Sequence, residues 1–175
     1  MYKFDCKTSA LFTDFYELTM AQGYWKNNMD CPAVFDMFFR RNPFKGGFAV
    51  FAGLETLIDA LTDFTFSESD IEYLKSVGIF EQGFLDYLKD FKFSGTLYAQ
   101  EEGSIVFPNE PLIRIHANLI EAQIIEGLVL NHINFQTLIA TKSTRVWLAS
   151  KKGSIMEFGL RRAQGPNGAM SASRA

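Results

Sequence analysis

The strongest constraint on the fold is a change of pattern near the end of the chain. A short apolar run over residues 154–158 predicts a strand, and Arg161 and Arg162 follow it as a cationic tip. A Gly-Pro-Asn-Gly stretch at residues 165–168 predicts a turn, and the small residues up to Ala175 predict a helix that has just begun. One strand–helix unit cannot cover both faces of its own sheet. We therefore expect the first strand of an incomplete parallel α/β array, and a chain that is the front portion of a longer protein.

The cationic tip is a candidate ligand site. In α/β proteins, ligands bind where strand ends give way to loops and helix N-termini. The guanidinium groups of Arg161 and Arg162 suit phosphate or carboxylate, Phe158 offers a ring face, and Gly159 allows a close approach to the backbone. The alternative is an arginine pair on a solvated loop.

The chain before the tip predicts a mixed architecture. Residues 1–118 are expected to form an α+β N-terminal domain with a small, mainly antiparallel sheet, because short strand patterns alternate with turns. Residues 119–175 are expected to hold a long helix and the first βα unit of the truncated α/β array. Asp14 followed by Glu17 predicts a capping box at the first helix. Helices are predicted over 13–25, 53–61, 67–77, 82–88 and 119–148, the last broken near 141–144, and strands over 33–40, 96–99, 104–106 and 111–116.

Composition narrows the functional classes. The net charge of −3 gives no electrostatic footprint for nucleic acid. No apolar run reaches the length of a membrane span, so we expect no membrane partner. Cys6 and Cys31 stand far apart with no Cys-x-x-Cys pattern, which argues against a zinc site or a disulfide framework. A cytoplasmic, reducing location is therefore expected.

The order of several motifs resembles the N-terminal part of the nicotinate phosphoribosyltransferases, which are type II phosphoribosyltransferases. Any one of these motifs is weak, but together they extend over nearly the entire chain. They are Leu-Phe-Thr-Asp-Phe-Tyr-Glu-Leu-Thr-Met from residue 11, Phe-Asp-Met-Phe-Phe-Arg-Arg-Asn-Pro from residue 35, Phe-Ala-Val-Phe-Ala-Gly-Leu-Glu from residue 48, Glu-Pro-Leu from residue 110, Leu-Asn-His-Ile-Asn-Phe-Gln-Thr from residue 130, Thr-Lys-Ser-Thr-Arg from residue 141 and Phe-Gly-Leu-Arg-Arg-Ala-Gln-Gly from residue 158.

The resemblance implies that residues 119–175 open a truncated α/β barrel domain, so that the first strand is that of an incomplete α/β (TIM-like) barrel. It also implies a reaction and a set of roles. The family joins nicotinate to phosphoribosyl pyrophosphate, giving nicotinate mononucleotide and pyrophosphate, with coupled ATP hydrolysis. By motif, Tyr16 and Phe158 would stack on the two faces of the pyridine ring, with Asp14 close to Tyr16. Arg161 would hold the ribose 5-phosphate side of the product. Arg40 would reach the diphosphate in a neighbouring subunit's site, since the family works as a homodimer with shared active sites.

Further expectations follow from the same resemblance. Arg162, Lys142 and Arg145 are possible phosphate contacts, and Mg²⁺ and ATP are the implied cofactors. The family's phosphorylated histidine is expected beyond Ala175, so the catalytic residue is unknown and the 175-residue chain alone is expected to lack transfer activity. His132 lies within a helical pattern, where a satisfied buried or interfacial side chain is the commoner role.

Structural alternatives remain open for each proposed role. Asp14 could serve only as an N-cap, Tyr16 and Phe158 could be core aromatics, and Arg40 could sit on a solvated strand end. Lys142 and Arg145 lie near a helix C-terminus, where cations are favoured in any case.

The alternative functions are a nicotinamide or quinolinate phosphoribosyltransferase relative, and a non-catalytic binding module. The Phe-Gly-Leu-Arg-Arg stretch from residue 158 favours the nicotinate branch over the quinolinate one.

Overall fold

The structure is a computed structural model, and it describes residues 9–175. Cys6 lies outside the described residues. The helices are α1 (Phe15–Lys26), α2 (Leu54–Thr62), α3 (Glu68–Val77), α4 (Gln82–Lys89), α5 (Leu119–Ile124), α6 (Glu126–Ala149) and α7 (Gly165–Arg174). The strands are β1 (Pro32–Met37), β2 (Ala49–Val50), β3 (Thr96–Ala99), β4 (Ile105–Val106) and β5 (Ile113–Asn118), and 3₁₀ turns occupy Pro43–Lys45 and Leu160–Arg162. None of the helices in the described chain is long and apolar enough to cross a membrane.

The described chain divides into two compact units, which are interleaved along the sequence. The first contains residues 9–35, 57–97 and 115–129, and the second contains residues 36–56, 98–114 and 130–175. The expected division into domains 1–118 and 119–175 stays a prediction.

Helices and aromatic rings build the core of the first unit. Helix α1 packs on α5 and α4, and α3 packs on α4. The ring of Phe84 lies 6.0 Å from those of Trp25 and Phe80. A Cβ added to Gly83 would lie 2.7 Å from the Trp25 indole, so the missing side chain lets that ring lie against α4. Large rings bury the most apolar area per residue, which explains why many of the chain's phenylalanines are used here.

The second unit contains Phe51, which is fully buried, next to a short pair of strands. Strands β2 and β4 pair antiparallel, with Ala49 opposite Val106. Two threonine hydroxyls of α6 bond the same stretch of backbone: Thr137 Oγ1 accepts the Ala52 N–H and donates to the Ala52 carbonyl. The Val50 N–H donates to Thr141 Oγ1 at 2.9 Å. Side chains of the long helix thus satisfy backbone groups that the short strands leave unpaired.

A second sheet has the strand order β1-β5-β3. The Leu119 N–H donates to the Cys31 carbonyl at 2.9 Å, and the Leu112 N–H donates to the Met37 carbonyl at 2.8 Å. Partner numbers fall as β1 advances, so the pair is antiparallel. The expected mixed architecture with small antiparallel sheets is therefore confirmed.

The strand predicted over residues 154–158 does not form. Residues 153–159 have no regular secondary structure, because no strand in residues 9–175 pairs with them. The predicted turn at residues 165–168 is instead the first turn of α7. Proline is favoured in that position, since its fixed φ suits the helix and its missing N–H is not needed.

The predicted helix break near residues 141–144 is also wrong. Helix α6 runs through this stretch, and the interruption falls earlier, at Ile125. The hydroxyls of Thr141 and Thr144 donate to the carbonyls four residues before them, at 2.6 and 3.0 Å, so these side chains are accommodated within the helix.

Candidate active site

The start of helix α1 places the first group of candidate residues. Asp14 is the N-cap, and its backbone N–H donates to the Glu17 carboxylate at 2.9 Å, as the predicted capping box requires. Thr13 also contacts this carboxylate, and its hydroxyl donates to the Ile124 carbonyl at 3.0 Å. The corner before α1 is thereby bonded to the end of α5, which fixes the backbone that carries Tyr16.

Tyr16 lies on the open side of this corner, with 48% of its surface exposed. The pKa of its phenol is raised, first because of desolvation and then because the negative charges of the Glu126 and Glu17 carboxylates oppose ionisation of the phenol. Glu17 itself is buried, and burial raises its carboxyl pKa, although hydrogen bonds from Thr13 and Asp14 act in the opposite direction. Tyr16 is thus an accessible ring on a rigid, acidic support, and the core-aromatic interpretation is wrong for it.

A basic cluster forms around Phe44 in the second unit. Lys142 Nζ lies 4.9 Å from the centroid of this ring, and the Arg145 guanidinium carbon lies 5.5 Å from it. The Arg145 guanidinium also donates to the Phe44 carbonyl at 2.8 Å. Both cations come from α6, where residues three apart share a face. Arg40 is exposed and precedes this ring by four residues in sequence.

The cationic tip follows α6 and is highly exposed. Phe158 has 72% of its surface accessible, so it is not a core aromatic, and Arg161 and Arg162 are consecutive residues of a 3₁₀ turn. The Gly159 N–H donates to the Glu157 carboxylate, and the Ser173 hydroxyl of α7 donates to the same carboxylate at 3.4 Å. The segment that leads into the cationic tip is therefore bonded to α7, although this segment forms no strand.

The candidate cations carry uncompensated charge. Within residues 9–175, none of Arg40, Lys142, Arg145, Arg161 and Arg162 lies within salt-bridge distance of a carboxylate; the ion pairs of the described chain use other cations. A cation that is not ion-paired within the chain keeps its charge for a bound anion, although Arg145 already donates one hydrogen bond to the Phe44 carbonyl. This property suits phosphate recognition.

The comparisons with known proteins agree with the motif order. A family model described as the nicotinate phosphoribosyltransferase N-terminal domain matches residues 11–134. The chain belongs to the nicotinate phosphoribosyltransferase family. A Dictyostelium discoideum protein named nicotinate phosphoribosyltransferase is 50% identical over 170 residues, which cover 95% of this chain and 29% of that protein. The Bacillus subtilis protein of the same name is 44% identical over 175 residues, which cover 99% of this chain and 36% of that protein.

A solved structure supports the same family. The crystal structure of human nicotinic acid phosphoribosyltransferase superposes with a TM-score of 0.85 at 37% identity, over 92% of this chain and 33% of the human one. This member of the nicotinate phosphoribosyltransferase family thus spans about a third of the length of the relatives it matches.

The structure brings some of the predicted site residues together. Lys142 and Arg145 meet over Phe44, and Arg161 and Arg162 share the tip. Asp14 and Tyr16 belong to the first unit and the other candidates to the second, so their roles in one site stay predictions.

Sequence reasoning missed several participants in these local arrangements. Phe44, Glu126 and Glu157 were not singled out, although Phe44 stands inside the visible Arg-Arg-Asn-Pro-Phe-Lys run from residue 40. His132 was expected to be a satisfied side chain, and its Nδ1 lies 3.3 Å from Thr56 Oγ1. Burial lowers the pKa of this histidine, which favours the neutral ring.

Proposed function

We propose that the protein acts as a nicotinate phosphoribosyltransferase, joining nicotinate to phosphoribosyl pyrophosphate with ATP hydrolysis coupled to the step. The single observation that carries the proposal is family membership across nearly the whole chain, with 50% identity to a nicotinate phosphoribosyltransferase. The exposure of Tyr16 and Phe158 supports it, because a flat heteroaromatic ring needs accessible ring faces.

The chemistry accounts for the residue types. Displacement of pyrophosphate at the sugar C1 builds positive charge on the ribose and negative charge on the leaving group. Arg161 is proposed to bind the 5-phosphate, and Arg40 the diphosphate, with Lys142, Arg145 and Arg162 adding positive potential. Stacking on Tyr16 and Phe158 would orient the attacking pyridine nitrogen, at about 0.5–1.5 kcal/mol for each ring pair.

Mg²⁺ and ATP enter the proposal through the family. No group of three or more His, Cys, Asp or Glu side chains in residues 9–175 is placed to hold a metal ion. Mg²⁺ is usually bound through one or two carboxylates, water and substrate phosphates, so we expect the phosphate oxygens of the substrates to supply most of its ligands. The proposal also includes a homodimer with shared active sites and a cytoplasmic location. The remaining strands of the barrel would come from chain other than these 175 residues.

The test is phosphoribosyl transfer by the protein as its natural source produces it. Purified protein is incubated with phosphoribosyl pyrophosphate, Mg²⁺, ATP and one of nicotinate, nicotinamide or quinolinate, and the mononucleotide is quantified by chromatography. Nicotinate-dependent product that falls in an Arg161→Gln variant supports the proposal, with Arg114→Gln as the matched control. Turnover of nicotinamide or quinolinate instead would favour those relatives, and pyrophosphate binding without turnover of any acceptor would favour a binding module.

A further inference from the structure

A charged network around Arg174 ends helix α7. Its guanidinium donates to both oxygens of the Glu102 carboxylate, at 2.6 and 3.0 Å, and to the Glu55 carboxylate at 2.7 Å. It also donates to the Gln136 side-chain oxygen at 3.1 Å. The forked pairing with Glu102 is the strong type, because two parallel bonds fix both distance and orientation.

The partners of Arg174 are themselves held in place. Glu102 accepts the backbone N–H groups of Gly53 and Leu54, at the start of α2, where a carboxylate also complements the helix dipole. Gln136 is buried, and its amide nitrogen donates to the Thr56 hydroxyl at 2.6 Å. Arg174 is thus bonded to Glu55 at the start of α2, to Glu102 in the β3–β4 connection and to Gln136 of α6, and these three residues belong to the second unit.

The other side of α7 reaches the cationic tip. Ser173, the residue before Arg174, donates to the Glu157 carboxylate, which also accepts the Gly159 N–H. Glu157 and Gly159 flank Phe158, and the turn carrying Arg161 follows directly. One helix end therefore carries both the anchor and the contact to the proposed ligand-binding segment.

We propose that Arg174 is a positioning residue, which anchors α7 so that Ser173 and Glu157 hold Phe158 and Arg161 in a fixed arrangement for a phosphorylated ligand. The proposal rests on the proposed function, since that function gives the tip its ligand. Among residues 9–175 no strand pairs with residues 153–159, and within this part of the chain the side-chain contact from α7 holds the segment.

Hydrogen exchange measured by mass spectrometry on the full chain tests the anchor without any assay of activity. Arg174→Gln is expected to raise exchange of the amides of residues 157–164 by roughly tenfold, the effect of losing a charge-assisted hydrogen bond. Exchange in the β2–β4 pair is expected to stay unchanged. Arg174→Lys keeps a cation and should restore part of the protection.

The matched control is Arg114→Gln. Arg114 makes a two-point pair with Asp36, at 2.7 and 2.8 Å, so this variant removes a similar ion pair of the second unit without touching α7. Ser173→Ala removes only the contact to Glu157 and should raise exchange at residues 157–159. It carries the test if Arg174→Gln does not fold.

Three results would overturn the positioning role. The first is unchanged exchange of residues 157–164 in Arg174→Gln, or of residues 157–159 in Ser173→Ala where that variant carries the test. The second is an equal rise in the β2–β4 amides, which would mark a general structural role. The third is the same rise in Arg114→Gln. Inorganic phosphate provides a separate arm, because protection of residues 157–164 upon its addition reports the proposed 5-phosphate site at Arg161. Its failure would count against the proposed function while the exchange result for Arg174 still stood.

Discussion

Replacement of Thr137 by valine tests how α6 holds the second unit. The Thr137 hydroxyl is buried and serves both polar groups of Ala52, accepting from its N–H at 3.2 Å and donating to its carbonyl at 3.1 Å. Valine has nearly the same shape and the same branching at Cβ, so packing and helix preference change little. Both Ala52 groups lose this partner.

The expected loss follows from these contacts. Each buried polar group left without a partner costs about 1–3 kcal/mol, and the added methyl group recovers about 0.8 kcal/mol through burial. We expect Thr137→Val to lower the free energy of unfolding by about 3 kcal/mol, measured by urea denaturation followed by circular dichroism, with the slope against urea unchanged.

Thr144→Val is the matched control in the same helix. The Thr144 hydroxyl donates only to the Ala140 carbonyl, which keeps its place in the helix ladder, so a change within about 0.5 kcal/mol is expected. The reasoning would be refuted if Thr137→Val cost no more than this control.

The remaining predictions concern one buried acid, one glycine and two exposed rings. Folding raises the pKa of Glu17, so the contribution of this carboxyl to stability is complete below its ordinary pKa and is lost as pH rises through its pKa in the folded protein. Glu17→Gln should therefore remove this decline in stability from the urea midpoints measured as a function of pH. Parallel profiles for the variant and the wild type would contradict this. Gly53→Ala should cost at least about 2 kcal/mol in urea denaturation, because φ is +106° and the new Cβ would lie 2.7 Å from the His132 carbonyl oxygen; wild-type stability would contradict it. Tyr16→Ala and Phe158→Ala should change the free energy of unfolding by no more than about 0.5 kcal/mol, because both rings are exposed. In the proposed reaction, each variant should raise the KM for nicotinate roughly 2- to 10-fold. A loss of stability typical of a core ring would contradict this.

The sequence suggested the candidate binding residues, but it did not predict which other residues hold them in place. The arginines at positions 161 and 162 and the Asp14–Glu17 pair are readable because type and spacing suffice to propose their roles. The ring of Phe44 beneath Lys142 was not predictable, because about a hundred residues separate them in the chain and only the fold brings them together. The same holds for Arg174, whose partners Glu55 and Glu102 lie far back in the sequence.

What the sequence determined by itself is the set of elements whose hydrogen bonds close within a few residues. Helix α3 is one example: Ser67 caps its start by accepting from the Asp70 N–H, and Gly78 ends it in the left-handed conformation. Tertiary structure decided where long-range partners were needed. Residues 154–158 have the composition of a strand yet form none, because a strand exists only when another strand accepts its backbone bonds.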